Sequence, residues 1–110
     1  MTSNAPLGVF EEQVMVAVVR TAPEAYGMSI RRELERVTMR DIAIGAVYAT
    51  LDRLEAKALV RSDRGAVEGA SRRLFDITPE GARALAESHA MHERLWRGVD
   101  VQGLLASAGG

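Results

Sequence analysis

IGAVYATLDRLEAKALV, residues 44–60, holds the reading from which the rest of the chain follows. Val47, Leu51 and Leu54 recur at spacings of three and four, which predicts a helix over Ala46–Lys57 with those residues as its inward stripe. Tyr48, Ala49, Asp52, Arg53 and Lys57 fall on its flanks and outer face. Leu59–Ser62 then reads as a short strand and Arg73–Ile77 as its partner, with the polar, glycine-containing stretch Asp63–Arg72 as a flexible loop between them.

Upstream, Val9–Val19 (VFEEQVMVAVV) is apolar on nearly every face except at Glu11, Glu12 and Gln13, as expected of a helix covered on several sides. Pro23 breaks that run, after which Tyr26, Ile30, Leu34 and Val37 form the buried stripe of a second helix centred on Ser29–Thr38. Its opposite face carries Arg31, Arg32, Glu35 and Arg36, a solvated set whose arginines are secondary candidates for contacts to a nucleic-acid backbone. Arg40–Ile44 is β-branched enough for a one-rung strand. Downstream, Thr78-Pro79-Glu80 combines a capping hydroxyl, a proline suited to the first helical position and an early carboxylate, which starts a helix running to about Val99. The Gly-, Ala- and Ser-rich tail is expected to fray.

This order predicts a mainly α fold with a small β-hairpin wing: a winged helix-turn-helix over residues 1–77, a dimerisation helix over 78–99 and a flexible tail over 100–110. A chain of 110 residues, 47% hydrophobic, suits one domain with a modest core. The absence of cysteine removes disulfides, thiolate metal sites and cysteine nucleophiles, and suits a reducing compartment. Residues 1–6 lack the pattern of a signal peptide and no apolar run reaches membrane-spanning length, so a cytoplasmic protein without membrane contact is expected. The formal net charge of −1 hides a concentration of arginine in the middle of the chain. No nucleophile–base pair, phosphate-cradling loop or convergent carboxylate pair can be assembled, so neither enzyme chemistry nor a cofactor is expected.

The segments LGVFEEQVMVAV, EAYGMSIRREL, IGAVYATLDRLEAKALV and RRLFDITPEGARAL closely resemble the PadR family of bacterial transcriptional regulators, over Leu7 to Trp96. The resemblance implies a homodimeric DNA-binding regulator whose third helix enters the major groove, whose wing touches phosphates and whose terminal helix pairs the subunits. It implies a repressor acting on a pseudo-palindromic operator and responsive to a small aromatic or drug-like effector. A winged helix that binds a protein instead of DNA is the rival reading. The chain departs from the family at Ala58, where relatives carry glycine after the recognition helix, and at Ala49, where many carry proline. If the left-handed backbone of that glycine persists, Ala58 is strained by about 1 kcal/mol.

DNA recognition needs a helix thin enough to approach base edges and cations to hold phosphates. Gly45, Ala46 and Ala49 keep the leading face of the third helix low, Tyr48 and Thr50 add hydroxyls, and Arg53 and Lys57 extend its charge. Tyr48, matching the tyrosine of the family motif, is the candidate for a phosphate or ribose contact, alongside its alternative as a packed core ring. Arg64, Arg72 and Arg73 in the wing are candidates for the phosphate row, although consecutive strand residues face opposite sides, so one of Arg72 and Arg73 is expected to be solvated or paired.

Along the last helix Leu85, His89, His92, Trp96 and Val99 recur at helical spacing as a dimer seam, joined by Phe10 and Val14 of the over-apolar first helix. His89, His92 and Glu93 lack the spacing and the further ligand of a zinc site, so no metal is expected. Charging of His89 and His92 across a two-fold axis would loosen such a seam in mild acid. Trp96, with His92 beside it, is the candidate for a planar-ligand slot.

Overall fold

The computed structural model describes residues 6–109. Seven elements follow in order: α1 (Val9–Thr21), α2 (Gly27–Thr38), α3 (Ile44–Ala56), β1 (Val60–Val67), β2 (Ala70–Ile77), α4 (Pro79–Trp96) and α5 (Val101–Ala108). The core forms where the apolar stripes of α1, α2 and α3 meet: Val14, Met15 and Val18 pack with Ile30, Leu34, Val47, Leu51 and Leu54. Val60 and Phe75 close it from the base of the hairpin. The winged helix-turn-helix order expected from the sequence is thus present, with a two-stranded antiparallel wing.

Expectation and structure part at four places in the backbone. Arg40–Ile44 forms no strand, because α2 satisfies its backbone directly: Arg31 Nε donates to the Ile42 carbonyl at 2.7 Å and Ile42 N–H donates to Glu35 Oε2 at 2.9 Å. The expected loop Asp63–Arg72 is instead a continuous hairpin, paired from Val60↔Ile77 out to Val67↔Ala70. Glu68 and Gly69 turn it with φ of 51° and 81°, the two positive values that a tight turn matched to strand twist demands. The terminal helix ends at Trp96, and Gly98, at φ 80°, redirects the chain. The tail expected to fray carries α5; only Gly110 of it lies outside the described residues.

The junction of α3 with the wing follows the departure noted at Ala58. Leu59 N–H donates to the Leu54 carbonyl and Ala58 N–H to the Glu55 carbonyl, both at 2.9 Å, the paired bonds of a helix end that turns left-handed. Ala58 takes φ 62° there without being glycine. Thr78 ties the same corner to α4: its hydroxyl donates to the Ala58 carbonyl at 2.6 Å and accepts from Gly81 N–H at 3.0 Å. Gly81 is obligatory, since a Cβ on it would overlap the Leu59 carbonyl oxygen.

Beyond Gly81 no residue of α4 is buried, and none of α5 is. The radius of gyration is 16.3 Å, against about 13 Å for a compact domain of this length, and the longest extent is 54 Å. Leu95, Trp96, Val99, Leu104 and Leu105 stand exposed along this arm, with Val9 and Val19 of α1. No helix among the described residues is long and apolar enough to cross a membrane.

Candidate nucleic-acid interface

The inward stripe of α3 fixes what its outer face can offer. Gly45, Ala46, Ala49 and Arg53 are exposed, and nothing lies within 4 Å of where a Gly45 Cβ would stand. Thr50, expected among the outward hydroxyls, is only 2% exposed. It lies three residues after Val47 and beside Leu51, on the buried arc, and its hydroxyl accepts from Arg53 Nη2 at 3.1 Å. Tyr48 is packed yet partly open: the ring and hydroxyl lie where a Gly27 Cβ would stand, and the residue is 41% exposed. Glycine at the first residue of α2 is what admits that ring.

Gly27 is preceded by Tyr26, and around that ring the wing and α2 converge. Arg32 Nη2 donates to the Tyr26 hydroxyl at 3.1 Å, and its guanidinium carbon lies 5.8 Å from the ring centroid. Arg72, reaching over from β2, lies 5.1 Å from the same centroid. Tyr48, Gly27, Tyr26, Arg32 and Arg72 therefore form one continuous edge running from α3 across the start of α2 to the wing. The sequence places Tyr26 in the buried stripe and Arg32 on a solvated face, as a secondary candidate for a backbone contact. An aromatic residue directly before a glycine at a helix start, with Ser29 accepting its backbone N–H at 2.9 Å, is the signal that was there to be read.

Ion pairing sorts the remaining cations. Lys57, a candidate DNA contact, is held by Glu11 at 2.8 Å. That hydrogen bond, followed by one from Gly8 N–H, keeps the Glu11 carboxyl below its usual range. Arg73, another candidate, turns back to α3: its Nη1 lies 3.1 Å from Asp52 Oδ1 and its Nη2 2.5 Å from Glu55 Oε1. Its Nε donates to Ser62 Oγ, and its guanidinium stacks over Phe75 at 4.8 Å. Burial opposes the charge on Arg73, but the bonds to Glu55 and Asp52 outweigh it and raise the pKa further. Glu55 is lowered, first by the hydrogen bond from Ser62 and then, against its desolvation, by Arg73. Of the two wing arginines that cannot face the same way, Arg73 is the paired one and Arg72 the one on the open edge.

Arg20 and Arg36 both pair with Glu33, whose carboxyl is brought down to about 2, by Arg36 first and Arg20 second. Arg31 pairs with Glu35 and Arg61 with Asp76. Among the described residues of the helix-turn-helix and wing, Arg32, Arg40, Arg53, Arg64 and Arg72 are left without a carboxylate partner. Unpaired guanidinium groups are what a phosphate row recruits, since binding need not first break a protein ion pair.

The predicted seam residues divide. Val14 is fully buried inside the protomer's own core and has no surface to give a partner, while Phe10 and Leu85 pack partly against that core. The reason is local: Val14 lies one turn before Val18 on the face of α1 that meets α2 and α3, so the apolar residues that α1 leaves exposed are Val9, Val16 and Val19 instead. His89, Trp96 and Val99 are exposed, Trp96 at 56%. His92 Nε2 lies 3.1 Å from Glu12 Oε1, which also accepts from the Ser88 hydroxyl. Burial would raise the Glu12 carboxyl, but the bonds from Ser88 and His92 lower it on balance. These groups border a cleft of about 720 Å³ between α1 and α4, lined also by Leu7, Val9 and Met91.

The model of the transcriptional regulator PadR-like family matches residues 15–87. The chain is 40% identical over 76 residues to the transcriptional regulator Rv3488 of Mycobacterium tuberculosis, spanning 69% of this chain and 70% of that protein. In fold it is similar to a PadR-like transcriptional regulator (BC4206) of Bacillus cereus, with a TM-score of 0.67, 22% identity and coverage of 92% of this chain and 87% of that one. It is also similar to F93 from STIV, described as a winged-helix DNA-binding protein, with a TM-score of 0.68, 17% identity and coverage of 86% and 98%.

Proposed function

The chain belongs to the PadR-like family of transcriptional regulators, and from that premise we propose that it binds operator DNA as a homodimer and acts as a repressor. The observation that carries this reading is the edge from Tyr48 through Tyr26 and Arg32 to Arg72, in a chain whose Arg40, Arg53 and Arg64 also lack a carboxylate partner among the described residues. Here α3 offers a face of Gly45, Ala46 and Ala49 that can lie deep in the major groove, and Arg53 can reach a base edge or a phosphate. Arg32 and Arg72 follow the backbone beside it and set the register, with Arg64 on the other face of the wing as a further candidate.

The second copy is called for by the arm. An exposed apolar surface made of α4, α5 and α1 is unusual for a monomer, and pairing it with its own image buries it in a symmetric interface. A two-fold dimer then presents two α3 helices to a pseudo-palindromic operator with half-sites about one helical turn, roughly 10 base pairs, apart. Release by a small aromatic effector is the regulation proposed, with the α1–α4 cleft and the exposed Trp96 as its site.

Selection of bound fragments from random duplex DNA tests the reading. Recovery of a pseudo-palindrome, bound with an affinity that falls steeply as salt rises, is the expected result. Arg32→Gln with Arg72→Gln should weaken binding on every sequence and reduce the magnitude of the log-affinity against log-salt slope by about 2. Failure to retard any duplex at low salt would favour a winged helix that docks on protein.

A further inference from the structure

The recognition helix is not cationic. From Ile44 to Ala56 it carries Asp52, Arg53 and Glu55, and the lysine that follows is committed to Glu11. Two carboxylates on a helix that approaches phosphates would repel them, and like charges brought together at an interface weaken it severely. Asp52 and Glu55 stand three residues apart, hence on one side of α3, and a single guanidinium from β2 meets both. The planar fork of arginine can serve two carboxylates at once in a way an ammonium cannot. Stacking on Phe75 and the bond to Ser62 fix its plane.

We propose that Arg73 is a positioning residue and internal counter-ion: it neutralises Asp52 and Glu55 so that α3 can enter the field of DNA, and it does not itself hold a phosphate. This inference rests on the DNA-binding reading above. It also accounts for the division of labour between adjacent strand residues, Arg72 serving the open edge while Arg73 serves the helix.

The test is a mutant cycle on affinity for the operator recovered from random DNA, with folding checked by thermal melting. Arg73→Gln should weaken binding by about tenfold or more at low salt, the penalty of unscreened carboxylates. Asp52→Asn with Glu55→Gln in an otherwise unchanged protein should alter affinity by less than about threefold, because those charges are already neutralised. The triple variant should return to within about threefold of the parent, a coupling that independent charges do not give. The proposal is overturned if the triple variant binds as weakly as Arg73→Gln, which would make Arg73 a phosphate contact, or if Arg73→Gln binds like the parent. A tenfold tightening by the two carboxylate substitutions alone would overturn it equally, and needs no Arg73 variant to fold. Absence of operator binding by the parent would instead remove the DNA-binding reading on which the proposal stands.

Discussion

The helix-turn-helix with its wing and the α4–α5 arm are made of comparably apolar sequence, yet one is closed on itself and the other is not. In the first, the stripes of three helices find each other, and the polar groups around them are paired within the chain: Arg31 and Glu35 on the 40–44 turn, Arg73 on α3, Glu11 on Lys57. In the arm, Leu95, Trp96, Val99 and Leu105 stand exposed, uncovered by any other described residue. The lesson is that local contacts suffice to specify the reading head, whereas the arm leaves its apolar face open and depends on the proposed second copy to cover it.

The sharpest way to break this contrast is at the joint between the regions. Gly81→Ala drives a Cβ into the Leu59 carbonyl, and denaturant unfolding should show a loss of about 3 kcal/mol, because backbone on both sides leaves nothing flexible to yield. Next in size is the arm itself. Trp96→Ala should weaken dimerisation by about 2 kcal/mol, some thirtyfold, in sedimentation equilibrium, while the helical content of the protomer is retained. If the protomer unfolds instead, the arm is part of its core and the contrast fails.

On the reading-head side, Ala58→Gly should stabilise by about 1 kcal/mol in thermal melting, since glycine adopts φ 62° without the clash of a side chain. A destabilised Ala58→Gly would mean the left-handed turn is absent. The smallest effect concerns Glu12, the α1 carboxylate that meets Ser88 and His92 of α4. The Glu12 carboxyl is lowered in the folded protein, so its contribution is complete above the ordinary value of 4.5 and is lost as pH falls through the lower folded one. Glu12→Gln should therefore cost about 0.5 kcal/mol at neutral pH and nothing in strong acid.

What could be read from the sequence, and what could not, follows the same division. Val47, Leu51 and Leu54 announce α3 because a covered face leaves a periodic trace. The outer half of the wing, Asp63 to Arg72, has solvent along most of both faces and so no alternation to show, and its turn uses Glu68 where asparagine or aspartate would have given a signal. Tail composition suggested a frayed end, since Gly, Ala and Ser say little about helix until Leu104 and Leu105 are placed one turn past Val101. Which of Arg72 and Arg73 is the paired one was beyond reach for a different reason. The choice of Arg73 between DNA and α3 depends on strand register and on the spacing of Asp52 and Glu55 together, a coincidence of two elements that no local pattern records. Thr50 and Val14 failed by about one residue of helical phase, enough to turn a surface side chain inward.

Thr78 gives this architecture a mechanical meaning. One hydroxyl grips the carbonyl that ends the reading helix and the amide that begins the arm, so the two helices meet at a stiff elbow with no slack loop between them. A ligand or partner that pushes the far end of α4, about 27 Å away along an 18-residue helix, works a long lever against a short one. A shift of a few ångströms out there would become a few degrees of tilt at α3, and in the proposed dimer two such tilts, related by its two-fold axis, would change the span between the helices that has to match one turn of DNA.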